Sequence, residues 1–315
     1  MRLETVFSLF GPGGLIAARA IQSGRLCASV LVSLLLGFTT NPAMAIDLAP
    51  LWDFARPDVS EQRFRAALHT AAGDDALILQ TQIARTYGLR QDFDRARTLL
   101  QQIEPSVAAA GAEAQVRFHL ELGRTFASAA HPAALLTPDA QAQARLQYQR
   151  ALDLARAASL DALAIDALHM FAVVDPAPAD QLKWGDAALQ VSLSSRQPDA
   201  RRWEASIRNN LGYALHQLGR HEQALQQFQL ALAIRERDVN AEATRVARWM
   251  VAWTLRSLGR ADEALQLQLA LEKDADAAGQ PDPHVFAELE ALYRSAGNLA
   301  KAQHYAQRKA AASQQ

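Results

Sequence analysis

Three large side chains in the C-terminal half of the chain are the residues best suited to a binding site. Trp249 and Trp253 stand four residues apart, a spacing that places two side chains on one face of a helix. Arg256 follows almost one helical turn later. Tryptophan and arginine are among the residue types enriched at the hot spots of protein interfaces. The pattern indicates a partner-binding patch, and the alternative is that one or both tryptophans pack in the core.

The sequence patterns of common enzymes and metal sites are missing from the chain. No G-x-S-x-G, H-E-x-x-H, P-loop or G-x-G-x-x-G pattern occurs. None of the eight histidines pairs with another at i, i+4. Glu288 and Glu290 face different ways on a helix and do not form an acid–base pair. We therefore expect a protein that is not an enzyme and that holds no cofactor and no metal.

The composition favours a well-packed helical protein. Of the 315 residues, 50% are hydrophobic and 21% are charged, which is enough apolar material for a core. The formal net charge is −1 and no polybasic block occurs, so we expect no binding to nucleic acid. Alanine, leucine, glutamine and arginine are abundant and β-branched residues are few, which favours helices over strands.

The first 45 residues have the layout of a cleaved secretory signal. Arg19 and Arg25 precede an apolar run at 26–38, which is followed by Pro42 and an A-x-A tripeptide that ends at Ala45. The apolar run is shorter than the roughly 20 residues that a membrane-spanning helix needs. We expect cleavage near Ala45 and a periplasmic or secreted bacterial protein with no integral membrane span. The alternative is an uncleaved anchor that holds an accessory protein at the cell envelope.

A pattern of leucine, small and aromatic residues recurs about every 40 residues after the signal. Gly212 and Ala224 are small because the two helices of a hairpin are expected to cross closely there. Gly219, Gly259 and Gly297 fall where a left-handed residue would end the first helix of a hairpin. Single hairpins cannot bury their own apolar faces, so successive hairpins must stack. The residues aligned at the small position are Ala96, Ala144, Asp180, Ala224, Ala264 and Ala302.

Leu211, Gly212, Ala224, Phe228 and Ala231 carry a resemblance to a known family. On these residues the chain resembles the tetratricopeptide repeat, whose signature is L-G-x2-Y followed by A-x3-F on a helix–turn–helix unit of 34 residues. The longer units here are similar to the extended repeats of kinesin light chains. The resemblance implies an all-α, right-handed α-solenoid of six hairpins, with a concave groove lined by the first helix of each hairpin.

The resemblance also implies which residues contact a partner, because groove positions in this family flank the L-G pair. These residues are Asn209, Tyr213, His216, Trp249, Trp253 and Arg256. Only Asn209 matches the clamp by which chaperone-binding members hold a C-terminal carboxylate. We therefore expect an extended peptide or a helix to lie against the aromatic residues. Arg85 and Arg124 occupy equivalent positions in earlier repeats, where they would attract an acidic peptide.

The expected organisation has four parts. Residues 1–45 form the signal, 46–74 form an N-terminal segment with a capping helix, 75–195 form three divergent repeats, and 196–315 form three clearer repeats with a C-terminal capping helix. A loop insertion at 129–137 carries Leu135 and Leu136, which either fold back on the solenoid or contact a partner.

The function predicted from these features is an exported, non-enzymatic scaffold that binds a protein or peptide. A second hypothesis places an enzyme or ligand site at a bend near 160–200. Pairing of terminal helices into a homodimer is left open by the sequence.

Overall fold

Thirteen helices longer than four residues follow one another in a computed structural model of the protein, which describes residues 46–238 and 240–313. No strand occurs within these two ranges. The predicted secretory signal at 1–45 lies outside the described residues. A search of the described helices for a segment long and apolar enough to cross a bilayer finds none.

The helices form one N-terminal helix and six antiparallel hairpins, as the repeat pattern predicted. The N-terminal helix α1 is Pro57–Leu68. The first helices of the hairpins are α2 (Gly73–Leu89), α4 (Ala112–Phe126), α6 (Asp161–Val174), α8 (Glu204–Gln217), α10 (Ala241–Ser257) and α12 (Pro283–Ser295). The second helices are α3 (Phe93–Val107), α5 (Pro138–Ala157), α7 (Pro178–Ser194), α9 (His221–Arg237), α11 (Ala261–Ala277) and α13 (Leu299–Ala312).

Small residues and rings meet where the helices of a hairpin cross. A Cβ atom built on Gly212 of α8 would lie 2.7 Å from the Phe228 ring of α9, so only glycine allows this approach. Gly123 of α4 and Tyr148 of α5 form the equivalent contact in the second hairpin. The glycines of the tight turns adopt the left-handed conformation, with φ angles of 73° at Gly219, 76° at Gly259 and 73° at Gly297. Both expectations about these glycines are confirmed.

The third hairpin departs from the repeat pattern, and the alignment of Asp180 with the small position is wrong. Because α7 begins at Pro178, its fourth residue is Gln181, which is buried, whereas Asp180 is exposed. The fourth residue is also the buried small one in α3, α9, α11 and α13. Four residues further on, Gly185 stands where the second and fourth hairpins have the Tyr148 and Phe228 rings. Leu211 of the next hairpin fills that space, since a Cβ on Gly185 would lie 2.7 Å from it.

The loop insertion at 129–137 folds back on the solenoid at His131 and Leu136, while residues 132–135 and Thr137 are exposed. Leu136 packs against the core, and the buried His131 ring stacks on Phe93 of the first hairpin at 3.7 Å. Leu135 points away and is 51% exposed. Leu136 therefore folds back as expected, and contact of Leu135 with a partner stays a prediction.

The N-terminal end of the solenoid is covered by α1 and the segment before it, as predicted for a capping helix. Phe64 of α1 and Leu48 belong to the same apolar cluster as the first hairpin. The buried hydroxyl of Ser60 accepts a hydrogen bond from the Asp53 amide and donates one to the Asp53 carbonyl. These bonds hold the segment that directly follows the predicted cleavage site against the folded domain.

A buried glutamine in the fifth hairpin leads to a stability prediction. Gln268 of α11 stands at the position of Phe228, is fully buried, and neither its amide oxygen nor its amide nitrogen has a hydrogen-bond partner. An unpaired buried amide is costly. We expect Gln268→Met to raise the free energy of unfolding by about 1–2 kcal/mol in chemical denaturation.

The matched control for this prediction is Gln266→Met, because Gln266 lies on the same helix and is exposed. We expect this variant to change stability by less than about 0.5 kcal/mol. A loss of stability in Gln268→Met alone would contradict the prediction and would show that the buried amide is paired in solution.

Candidate partner-binding surface

Aromatic rings from three consecutive first helices form a continuous row, here called the aromatic row. Its members are Tyr213 and His216 of α8, Trp249 and Trp253 of α10, and His284 of α12. The ring centre of Trp253 lies 6.0 Å from that of Tyr213 and 5.8 Å from that of Trp249, and the planes are within 23° of parallel. Trp249 in turn contacts His284 edge to face at 6.3 Å. Four of the predicted site residues are therefore brought together.

The two tryptophans belong partly to the core and partly to the surface. Trp249, Trp253 and Tyr213 pack against the apolar cluster of the fourth and fifth hairpins, yet each keeps an exposed portion. Aromatic side chains with one buried and one exposed side can act as rigid anchors for a partner. The row thus combines fixed ring positions with accessible ring surface.

His216 is fixed at one end of the row by two contacts. Its ring stacks on Trp253 with centres 3.5 Å apart, and its Nε2 lies 2.9 Å from the hydroxyl of Ser257. Burial disfavours the charged imidazolium and, with the nearby His221 and Arg256, lowers the pKa of His216 to about 4. The imidazole is therefore neutral near pH 7, so it adds no charge to the row.

Arg256 lies beside the row but is held by a neighbouring helix. Its guanidinium donates two hydrogen bonds, of 2.6 and 2.9 Å, to the carboxylate of Glu288 on α12. The hydrogen bonds to Glu288 raise the pKa of Arg256 against the opposing effect of burial. This bidentate pair neutralises Arg256, so we assign it to the positioning of α10 against α12 as well as to the edge of the row.

Asn209 differs from the other predicted site residues because it is almost completely buried. It lies one turn before Tyr213 on α8, is 2% exposed, and its amide nitrogen and oxygen both lack a hydrogen-bond partner. The indole Nε1 of Trp249 is also buried without a partner. The row is therefore bordered by hydrogen-bonding groups that the described residues do not satisfy.

The earlier repeats carry buried ion pairs where a cationic groove was expected. Arg124 of α4 donates hydrogen bonds of 2.5 Å to Glu121 and to Asp166 of α6, and Arg85 of α2 lies 3.7 Å from Glu121. Burial opposes the charge on Arg124, but the two carboxylates outweigh it and raise the pKa of the guanidinium. Arg85 and Arg124 are therefore neutralised inside the solenoid, and the expectation that they attract an acidic peptide is wrong.

Two residues of this surface were missed by sequence reasoning. His284 precedes the family's groove positions in the sixth repeat by one turn, so extending those positions toward the helix N-terminus would have included it. Glu288 was considered only as a partner of Glu290, whereas its actual partner, Arg256, comes from the preceding hairpin. Nothing in the spacing of a single sequence reveals that pairing.

The region at 160–200 offers little room for a ligand. A cavity of about 20 Å³ lies there, lined by residues that include His169, Gln181 and Trp184. This volume suits a water molecule, whereas small-molecule sites usually exceed about 300 Å³. Among the described residues, no group of three or more histidine, cysteine, aspartate or glutamate side chains is placed to hold a metal ion.

Comparison with known proteins gives one family match and several structural similarities. A family model described as tetratricopeptide repeat matches residues 203–270, which span the fourth hairpin and most of the fifth. These hairpins carry four of the five rings of the aromatic row. No curated protein matches the chain.

Solved structures share the fold at low sequence identity. A Signal Transduction ATPase with Numerous Domains protein with a tetratricopeptide repeat sensor, from Pyrococcus horikoshii, aligns with a TM-score of 0.63 at 11% identity and covers 81% of this chain. The chain spans only 39% of that protein. The apo form of RapI aligns with a TM-score of 0.53 at 13% identity, over 84% of this chain and 86% of RapI.

A third structure contains a bound factor. A Rap protein complexed with Competence and Sporulation Factor aligns with a TM-score of 0.50 at 13% identity, over 82% of this chain and 72% of that protein. At these identities the similarity shows the fold, and the functions of those proteins do not follow for this chain.

Proposed function

We propose that this chain, whose fold is a solenoid of tetratricopeptide-like hairpins, is a non-enzymatic scaffold that binds a segment of a partner protein at the aromatic row. The observation that carries the proposal is the row itself, in which five rings from α8, α10 and α12 lie in contact and remain partly exposed. Exposed aromatic residues at fixed positions are typical of binding hot spots. The complex of a similarly folded Rap protein with Competence and Sporulation Factor supports the use of this fold for binding.

We further propose that the protein acts outside the cytoplasm after removal of residues 1–45. The layout of the first 45 residues supports this, as does the packing of Leu48 and Trp52 against the first hairpin, which a cleavage site at Ala45 would leave intact. N-terminal sequencing of protein recovered from the envelope tests the proposal. A first residue at Ile46 is expected, and a protein that keeps Met1 would contradict it.

Trp253→Ala tests the binding proposal, because Trp253 contacts three other rings of the row. We expect crosslinking in cells and pull-down with wild type to capture a partner that this variant loses. For the purified pair, we expect the variant to weaken binding by about thirtyfold or more, which corresponds to about 2 kcal/mol.

Two control variants separate binding from folding. Trp253→Phe keeps a ring and is expected to retain most of the affinity. Leu230→Ala removes a 41% exposed side chain from the second helix of the fourth hairpin and is expected to bind like wild type. If wild type and Trp253→Ala capture the partner equally and have the same helicity, the partner does not bind at the aromatic row.

A further inference from the structure

The free charge nearest to the aromatic row along α10 belongs to Arg245, which lies one helical turn before Trp249. Its neighbour Arg248 pairs with Glu236 at 3.0 Å, and Arg256 pairs with Glu288. Within the described residues, Arg245 makes no ion pair and no hydrogen bond. Arg245 is partly buried, so water screens its charge less than at a fully exposed site. An acidic group of a partner would therefore be attracted to it more strongly.

Trp253, Trp249 and Arg245 follow one line along α10. Residues four apart on a helix are separated by about 6 Å along its axis. Alternate residues of an extended chain are about 6.6 Å apart and point to the same side. Three alternate residues of an extended segment would therefore meet the two tryptophans and then the arginine.

The unpaired polar groups favour an extended segment over a helix. The side chain of Asn209 offers two N–H donors and one carbonyl acceptor, Trp249 offers the indole N–H, and none of these groups has a partner. A helix satisfies its own backbone groups, whereas an extended segment presents free N–H and C=O groups. These atoms are buried, so contact with such a backbone requires that the side chains covering them move aside.

We infer that the aromatic row binds an extended segment with apolar residues at two alternate positions and a carboxylate at the next alternate position. The apolar side chains lie on Trp253 and Trp249, and the carboxylate pairs with Arg245. This inference rests on the proposed function, to which it adds the chemistry of the partner and a direction along α10. The neutral Arg256–Glu288 pair leaves Arg245 to supply the charge selectivity.

The test uses a capped synthetic peptide with leucines at alternate positions followed by glutamate, separated by serines. Its matched forms replace the glutamate with glutamine or respace the leucines four apart for a helix. Binding to the full chain is measured by calorimetry and tryptophan fluorescence. We expect the glutamine form to bind about tenfold more weakly to wild type, and the helical form to bind more weakly still.

Arg245→Gln is expected to remove the difference between the glutamate and glutamine forms while leaving binding of the glutamine form unchanged. Arg248→Gln, on the same helix, is the matched control and should preserve the difference. Trp253→Ala should weaken both forms. Tight binding whose glutamate preference survives in Arg245→Gln would overturn the inference, as would stronger binding of the helical form.

Failure of the inference can be separated from failure of the proposed function by selecting ligands from a random peptide library. If the designed peptide does not bind but the library yields segments of other chemistry that Trp253→Ala loses, the inference is wrong and the proposed function stands. If no selected segment depends on Trp253, both are wrong.

Discussion

Replacing Gly212 with alanine is expected to lower the free energy of unfolding by about 3 kcal/mol. The new methyl group would lie within 2.7–2.9 Å of three atoms of the Phe228 ring. Phe228 is fully buried at the crossing of α8 and α9, so its ring cannot move without displacing other core residues. Chemical denaturation monitored by circular dichroism measures the loss.

The first hairpin suggests how this clash can be relieved. There the positions of Gly212 and Phe228 are occupied by Ala84 and Leu100, both buried. Phe228→Leu alone should cost about 1–2 kcal/mol through the space it leaves. In the double variant the added methyl group enters that space, so we expect a total cost well below the sum of the two single changes.

Gly88→Ala is the matched control for Gly212→Ala. Gly88 also lies in a first helix, but a Cβ built on it meets nothing within 4 Å. Alanine is favoured over glycine in a helix by about 0.5–1 kcal/mol, so this variant should be as stable as wild type or more stable. Similar losses in both variants, or strict additivity in the double variant, would contradict the close-packing explanation.

The same pairs of positions show how much of the fold the sequence could predict. Gly212 with Phe228 defines the repeat clearly, and the six hairpins and their left-handed turns followed from that pattern. The third hairpin was misaligned by one residue because it has Gly185 at the position of Phe228, and the space beside Gly185 is filled by Leu211 of the next hairpin. The pattern in a single sequence identifies residue types at fixed offsets, but it does not show which neighbouring side chain fills the space beside a small residue.

The candidate site was predictable where it depends on one helix and unpredictable where it depends on several. Trp249 and Trp253 are recognisable from their spacing on α10 alone. The burial of Asn209 and the pairing of Arg256 with Glu288 depend on how neighbouring hairpins stack. Charged residues are the hardest to predict from sequence, since one contact across hairpins converts a free cation into a neutral pair.

Arg124 is the clearest example of such a conversion, and it gives the second large prediction. It is 11% exposed and holds Glu121 of its own helix and Asp166 of α6, which are 3% and 9% exposed. Arg124→Met keeps the apolar bulk but leaves two buried carboxylates without their principal partner. Breaking a buried ion pair from one side typically costs about 3–5 kcal/mol, and we expect a loss of stability in that range.

The exposed pair of Arg202 and Asp199 is the control for Arg124→Met. These side chains are 72% and 74% exposed, so Arg202→Met should change stability by less than about 1 kcal/mol. Adding Asp166→Asn to Arg124→Met should recover part of the loss, because the second change removes one of the stranded charges. A loss in Arg124→Met no larger than that in Arg202→Met would show that the buried network does not hold the first three hairpins together.

The pH dependence provides an independent test of the same network. In wild type, burial raises the pKa of Asp166, but Arg124 and Arg85 outweigh it and place the pKa below the usual value. The stability that Asp166 contributes is therefore present above its unfolded pKa of 3.8 and is lost as the pH falls through the lower, folded value. Without Arg124, burial should raise the pKa of Asp166 above 3.8, so the folded variant would bind a proton that the unfolded chain does not.

The destabilisation of Arg124→Met should consequently shrink as the pH is lowered from 7 toward 5, because protonation then removes the unpaired buried charge. Denaturation curves of wild type and variant at several pH values measure this gap, which is the difference between their free energies of unfolding. A gap that stays constant over this range would mean that Asp166 finds another cation or reaches water when Arg124 is replaced. In that case the loss of stability in Arg124→Met does not come from an unpaired buried charge on Asp166.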